Sequence, residues 1–295
     1  MLTEQERAFL DAMAKAPIPT DVLGLRGAID AFTPLLNSNS PEIGAFHEAV
    51  ELRPGLSADI AVPKGNGPHP VVVYLHGGGW IAGSPKTHRK LGMQFADAGY
   101  LTINVDYRLA PEHPFPAGLE DCIFAVKWAG ANAQRYNGNA SRLAVGGDSA
   151  GGNLTAATVT SLAAENYAGP KPKAALLIYG VFDFPAAIKR ETNDAFIGMA
   201  KAYAGAGYPA ILEDPRVSPI RAVKPGALPP SFVICGTADP LLAEAHSIVD
   251  ALKRADIRHE VAIFDDMPHG FIQMDVLSGC KQGLDRMFDF LRRTI

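Results

Sequence analysis

A mostly parallel α/β sheet covered by helices is predicted by three features of this 295-residue chain. From residue 70 onward, short runs rich in Val, Ile and Leu alternate with helical segments. The runs are apolar throughout, as strands buried on both faces are. One connection, after AALLIYG (174 to 180), lasts about 50 residues, more than one crossover helix needs, and predicts an inserted lid.

The first 40 or so residues read as amphipathic helices, with Phe9, Leu10 and Met13 on one face and Leu25, Ile29, Phe32 and Leu36 on another. From Phe46 to Val62 the pattern alternates around Pro54 and Gly55, which predicts two antiparallel strands and a turn. The sheet then continues through VVVYL (71 to 75), LTINVDY (101 to 107), RLAVGG (142 to 147), AALLIYG, SFVICG (231 to 236) and HEVAIFD (259 to 265). Helices are expected at about 87 to 98, 117 to 133, 150 to 165, 241 to 255 and 281 to 293. The expected organisation is an N-terminal helical cap segment over 1–45, a sheet domain over 46–182 and 216–295, and a cap insertion over 183–215.

With 47% hydrophobic and 20% charged residues the chain has the composition of an ordinary compact domain. A net charge of −4 and no block of like charges argue against a nucleic-acid partner. Cys122, Cys235 and Cys280 are too few and too scattered for a disulfide framework or a zinc cage. Cys235 reads as a buried apolar filler. The N-terminus lacks a signal-peptide pattern, and no apolar run nears the roughly 18 residues of a membrane span. A cytoplasmic protein is expected.

Gly147-Asp148-Ser149-Ala150-Gly151 fits G-x-S-x-G at the end of a predicted strand and the start of a predicted helix. That context presents a serine hydroxyl above the sheet on a sharp turn, with a helix N-terminus behind it. A serine hydroxyl is a weak nucleophile, so it needs an imidazole to take its proton and a carboxylate to orient that imidazole. His246 falls inside a helix and His259 opens a strand, which leaves His269, in MPHGF directly after HEVAIFDD. Asp239, in GTADP after SFVICG, is the carboxylate in the right place. Asp265 and Asp266 sit too close to His269 along the same loop to be preferred. The order Ser149, Asp239, His269 leaves room for a lid, then one helix and one strand.

His76-Gly77-Gly78-Gly79-Trp80 follows the strand VVVYL. Negative charge developing on a carbonyl oxygen is stabilised by preorganised backbone N–H donors, and glycines let the backbone approach. Gly78 and Gly79, with Ala150 after the serine, are the expected donors, and Gly77 is a further candidate. Gly77-x-Gly79-x-x-Ala82 also fits a dinucleotide fingerprint. There the helix must begin at once, whereas Trp80, Gly83, Ser84 and Pro85 prolong this loop. No H-E-x-x-H or C-x-x-C occurs, and His76, His88 and His113 lack ligand-like spacing, so no metal is expected.

Four motifs in order, HGGGW (76 to 80), DYRLAPEHPFPA (106 to 117), GDSAGGN (147 to 153), and GTADPL (236 to 241) with PHGF (268 to 271), resemble the hormone-sensitive-lipase-like esterases of the α/β-hydrolase superfamily. The likeness runs from about residue 46 to the C-terminus. It implies an α/β-hydrolase fold with a helical cap, Ser149 as nucleophile, His269 as base then acid, Asp239 as orienting carboxylate and the HGGG loop as oxyanion hole. It also implies that Asp106 to Pro116 braces that loop, with Arg108 and Glu112 paired rather than catalytic. One departure is Asp239-Pro240-Leu241-Leu242-Ala243-Glu244, where the family commonly has D-P-L-R-D-E.

The expected activity is that of a cofactor-free serine carboxylesterase acting on small, short-acyl esters through an acyl-enzyme. An amidase or deacetylase with the same side chains and a non-catalytic ligand-binding relative are the alternatives. Trp80, Phe9, Phe32, Met199 and Tyr203 are candidate pocket residues. The resemblance also suggests a homodimer.

Overall fold

The computed structural model describes residues 2–15, 19, 21–190 and 193–295. The expected helices and insertion therefore lie inside the description except at 1, 16–18, 20 and 191–192. Helices α1 (Glu4–Lys15) and α2 (Val22–Leu36) precede β1 (Ala45–Arg53), β2 (Leu56–Val62) and β3 (His69–Leu75). Then follow α3 (Arg89–Asp97), β4 (Leu101–Asp106), α4 (Ala117–Asn132), β5 (Gly138–Asp148), α5 (Ala150–Ala164) and β6 (Ala174–Ile178). The long connection carries α6 (Phe184–Arg190), α7 (Asp194–Ala204) and short 3-10 turns, and the chain ends with β7 (Ser231–Gly236), α8 (Leu242–Arg254), β8 (His259–Phe264) and α9 (Ser278–Thr294).

The eight strands form one sheet in the order β1-β2-β4-β3-β5-β6-β7-β8. β1 and β2 run antiparallel, turning at Pro54 and Gly55, and β3 to β8 pair in parallel. Val71, Val72, Val73, Leu75, Leu176 and Leu177 are fully buried, so both faces of the central strands are covered, as their unbroken apolar runs require. Phe95 of α3 and Phe288 of α9 meet edge to face at 5.2 Å beneath the sheet's rim.

Register sets where the site lies. Leu75 pairs with Gly147 and Asp148 with Ile178, so the loops after β3, β5 and β6 leave the same carboxyl edge. Gly236 pairs with Phe264, which brings the loops after β7 and β8 to that edge as well. A parallel α/β sheet collects its functional loops there because every crossover returns to the opposite edge.

Polar clasps fix the N-terminal helices to this edge. Arg26 of α2 donates to the carbonyls of Ile81 (2.7 Å) and Ala110 (3.1 Å) and makes a two-pronged pair with Glu112 (2.8 and 2.7 Å). Glu6 of α1 accepts the Ser278 N–H at the start of α9 (2.6 Å) and the Thr3 N–H (2.7 Å), which hold its carboxyl down at about 2. α2 has no fully buried residue, and Leu23 and Leu35 are exposed, so packing alone does not anchor it. A second network is deeper: buried Asp121 accepts Arg108 Nε (2.8 Å), Arg108 Nη2 (2.9 Å), the Arg108 N–H (2.9 Å) and Arg53 Nη2 (2.5 Å). Arg108 and Glu112 are thus both paired, as expected of the 106–116 segment. Removing a buried carboxylate that serves four donors leaves two guanidiniums without their partner. Asp121→Ala should therefore lower unfolding free energy by about 3 kcal/mol, read from the urea midpoint. An unchanged midpoint would show that water replaces the carboxylate.

Candidate active site

Ser149 sits between β5 and α5 at φ 55°, ψ −118°, a left-handed backbone costly for any residue with a side chain. The turn is held because a Cβ at Gly151 would lie 1.8 Å from the Leu75 carbonyl, so only glycine allows α5 to begin this close to β3. The first turn of α5 then faces the serine with its free N–H groups.

The Ser149 Oγ lies 2.8 Å from His269 Nε2, and His269 Nδ1 lies 2.9 Å from Asp239 Oδ2. With Nδ1–H donating to the carboxylate, Nε2 carries the lone pair that faces the hydroxyl. Asp239 is buried and its other oxygen accepts the Leu241 N–H (2.8 Å). That backbone donor supports the acid at the DPLLAE departure. Glu244 instead turns away, accepting the N–H groups of Phe182 and Asp183 (2.7 Å each) and pairing with Arg190. Burial pulls the His269 pKa down, but the charge and hydrogen bond of Asp239 outweigh it, and the net shift is upward from the ordinary value.

The glycine loop after β3 is braced on several sides. Asp148 accepts the Tyr74 hydroxyl (2.8 Å) and the Gly77 N–H (3.1 Å), and lies 3.2 Å from His88 Nε2. Tyr107 donates to the His76 carbonyl (2.6 Å) and stacks on the His76 ring at 4.2 Å, while the Ala110 N–H donates to the Trp80 carbonyl (2.9 Å). His76 is fully buried, and burial with the neighbouring His88 pulls its pKa down to about 3, so it is a neutral wedge. The Gly77 N–H is occupied by Asp148, which removes Gly77 from the candidate oxyanion donors. Among the described residues the N–H groups of Gly78, Gly79 and Ala150 make no hydrogen bond. Asp148, His88 and Asn153 were not singled out from sequence for this bracing. Their signal was an acid, a loop histidine and a helix asparagine placed where the fold buries them. Asn153 accepts the Trp80 indole N–H (3.3 Å) and donates to the carbonyls of Val181 (2.8 Å) and Val217 (2.9 Å), tying α5 to both ends of the insertion.

A cavity of about 470 Å³ opens over Ser149 and His269. Phe9, Phe32, Trp80 and Met199 line it, joined by Leu25, Ile29 and Phe196. Tyr203 does not line it: the ring is buried behind Trp80, stacked at 4.9 Å, because α7 turns that side of its helix toward Phe115 and Phe184. The spacing of four between Met199 and Tyr203 therefore marks one helical side split between cavity and core.

A profile of the family described as alpha/beta hydrolase fold matches residues 72–273. The chain belongs to that family. Within it, this α/β hydrolase is 36% identical over 231 residues to carboxylic ester hydrolase LipN of Mycobacterium tuberculosis, a match that covers 74% of the chain and 61% of the relative. It thus spans less than two thirds of that relative's length. It is 30% identical over 241 residues to ethyl acetate hydrolase of Pseudomonas putida, covering 75% and 72% of the two chains. The solved esterase of Pyrobaculum calidifontis superposes with a TM-score of 0.89 over 99% of this chain and 98% of its own, at 28% identity.

The glycine loop can be probed by substitution. Gly78 has φ +125°, and a Cβ there would lie 2.1 Å from the Ala82 carbonyl oxygen, so the turn must open to admit one. Gly78→Ala should slow hydrolysis of a p-nitrophenyl ester by about 10²-fold or more, with an unchanged far-UV circular dichroism spectrum. Wild-type rates would show that this loop does not serve the reaction.

Proposed function

We propose that the protein is a serine carboxylesterase that hydrolyses small, uncharged, apolar esters through an acyl-enzyme. The observation that carries this reading is the unbroken hydrogen-bonded line from Ser149 Oγ through His269 to Asp239, at 2.8 and 2.9 Å. Such a line lets the imidazole take the hydroxyl proton as oxygen attacks a carbonyl. Ser149 is the nucleophile, His269 the general base and then acid, and Asp239 the ionised carboxylate that orients the ring and balances its charge. The oxyanion rests on the N–H groups of Gly78, Gly79 and Ala150, with α5's N-terminus favouring negative charge there. Alcohol departs with the proton that His269 returns, and a water deprotonated by the same imidazole releases the acid. Each step uses side chains and backbone of this chain, with no cofactor.

Substrate class follows from the walls. Among the described residues those lining the cavity are mostly aliphatic and aromatic, and none is Lys or Arg, which supports neutral, apolar acyl and alcohol groups. α1 and α2 supply much of the wall of this 470 Å³ cavity. The cap segment is accordingly read as residues 1–45 together with 183–215, over a catalytic domain formed by 46–182 and 216–295. The unpaired outer edge of β8 supports a homodimer, the net charge of −4 disfavours nucleic acid, and three free buried cysteines suit a cytoplasmic setting. Among the described residues no helix is long and apolar enough to cross a membrane.

Ser149→Ala should reduce p-nitrophenyl butyrate hydrolysis to background, and Asp239→Asn should cost about 10⁴-fold in kcat. Retained turnover in Ser149→Ala would overturn the reading. Catalysis needs neutral His269, whose pKa the charge and hydrogen bond of Asp239 shift upward, so kcat/KM should fall as pH drops through a value above that of a free imidazole. An acid limb well below that value would place the base elsewhere.

A further inference from the structure

Two polar side chains lie beside the reaction centre and take no part in the chemistry above. His88 closes the loop that begins with the glycines, at the start of α3, and is 5% exposed. Its Nδ1 meets the Thr87 hydroxyl at 2.7 Å. Its Nε2 meets three groups at once: the Asp148 carboxylate (3.2 Å), the Gly77 N–H (3.3 Å) and the side-chain amide of Gln273. Gln273 lies four residues after His269, in the single 3-10 turn Phe271–Gln273 that follows PHG. Both side chains reach the wall of the cavity.

We propose that His88 and Gln273 are positioning residues, a polar bridge that holds the oxyanion loop and the base-bearing loop at a fixed separation. The inference rests on the esterase reading. Asp148 precedes the nucleophile and receives the first glycine's N–H, so it already joins the loops after β3 and β5. Nothing in that pair reaches the loop after β8. The His88–Gln273 contact supplies that third connection, and it is the one polar side-chain contact among the described residues that runs from the 76–88 loop to the 268–273 segment.

The residue types suit the task. An amide offers an N–H to an imidazole lone pair and a carbonyl to an imidazole N–H, so Gln273 matches His88 whichever ring nitrogen carries the proton. A methionine of equal length offers neither. The bridge is buried at its His88 end, where water does not compete for the contact. Its consequence is geometric. The oxyanion N–H groups must lie about 3 Å from where the substrate oxygen arrives while His269 stays on Ser149, and a slip between the two loops spoils both at once.

The test uses the full chain and p-nitrophenyl butyrate. Gln273→Met should lower kcat about tenfold with KM within about twofold and with an unchanged melting temperature. A His88→Phe/Gln273→Met double variant should be no slower than His88→Phe alone, because the second substitution removes a bridge already broken. Gln273→Asn, which keeps an amide N–H donor on a shorter arm, should recover part of the loss and guards against a Met variant that fails to fold. Wild-type kcat in Gln273→Met, a change confined to KM, or losses that multiply in the double variant would each overturn the bridge while leaving the esterase reading intact. Wild-type protein inert toward every ester would instead remove the reading beneath it.

Discussion

The hydrogen bond between Ser149 and His269 joins positions 120 residues apart and makes the molecule's other features intelligible. It can form only if β5 and β8 end at the same level of the sheet and if Ser149 holds a backbone conformation that its side chain disfavours. The first condition is met by a continuous parallel register from β3 to β8. The second is met by close packing of α5 against β3, which the glycine at 151 permits and any Cβ would block.

Holding that geometry falls to buried acids. Asp148 ties the glycine loop to the Ser149 turn, Asp121 gathers Arg53 and Arg108 beneath the 106–116 segment, and Glu244 binds the backbone at Phe182 and Asp183. Each accepts several hydrogen bonds, which is what allows a carboxylate to remain inside a protein. The N-terminal helices α1 and α2, by contrast, are attached by polar clasps over an apolar cavity. Arg26 and Glu6 hold them in place while leaving exposed leucines on α2. The sheet's carboxyl edge therefore carries Ser149, Asp239 and His269, and α1 and α2 help wall the cavity above them.

Much of this was legible in the chain. Continuous apolar runs from residue 71 onward placed the parallel strands to within a few residues, since burial on both faces leaves no alternation to misread. The serine, acid and histidine were legible because their chemistry confines them to loops at strand ends in a fixed order. The donor ambiguity at Gly77 was not, because only the position of Asp148 reveals that this N–H is occupied. Tyr203 was misplaced for a similar reason: helical spacing puts Met199 and Tyr203 on one side of α7 but cannot say that the core begins between them. His88 and Gln273 carry no periodic signal, and their meeting depends on two loops 185 residues apart.

The most direct test of the account is to trap the acyl-enzyme. The protein is mixed with excess p-nitrophenyl acetate, quenched in acid within its first turnovers, digested and analysed by mass spectrometry. The account predicts one acetyl group, on the peptide that carries Ser149 and on no other. A chain that releases p-nitrophenol while its Ser149 peptide stays unmodified and another residue carries the acetyl group would contradict it.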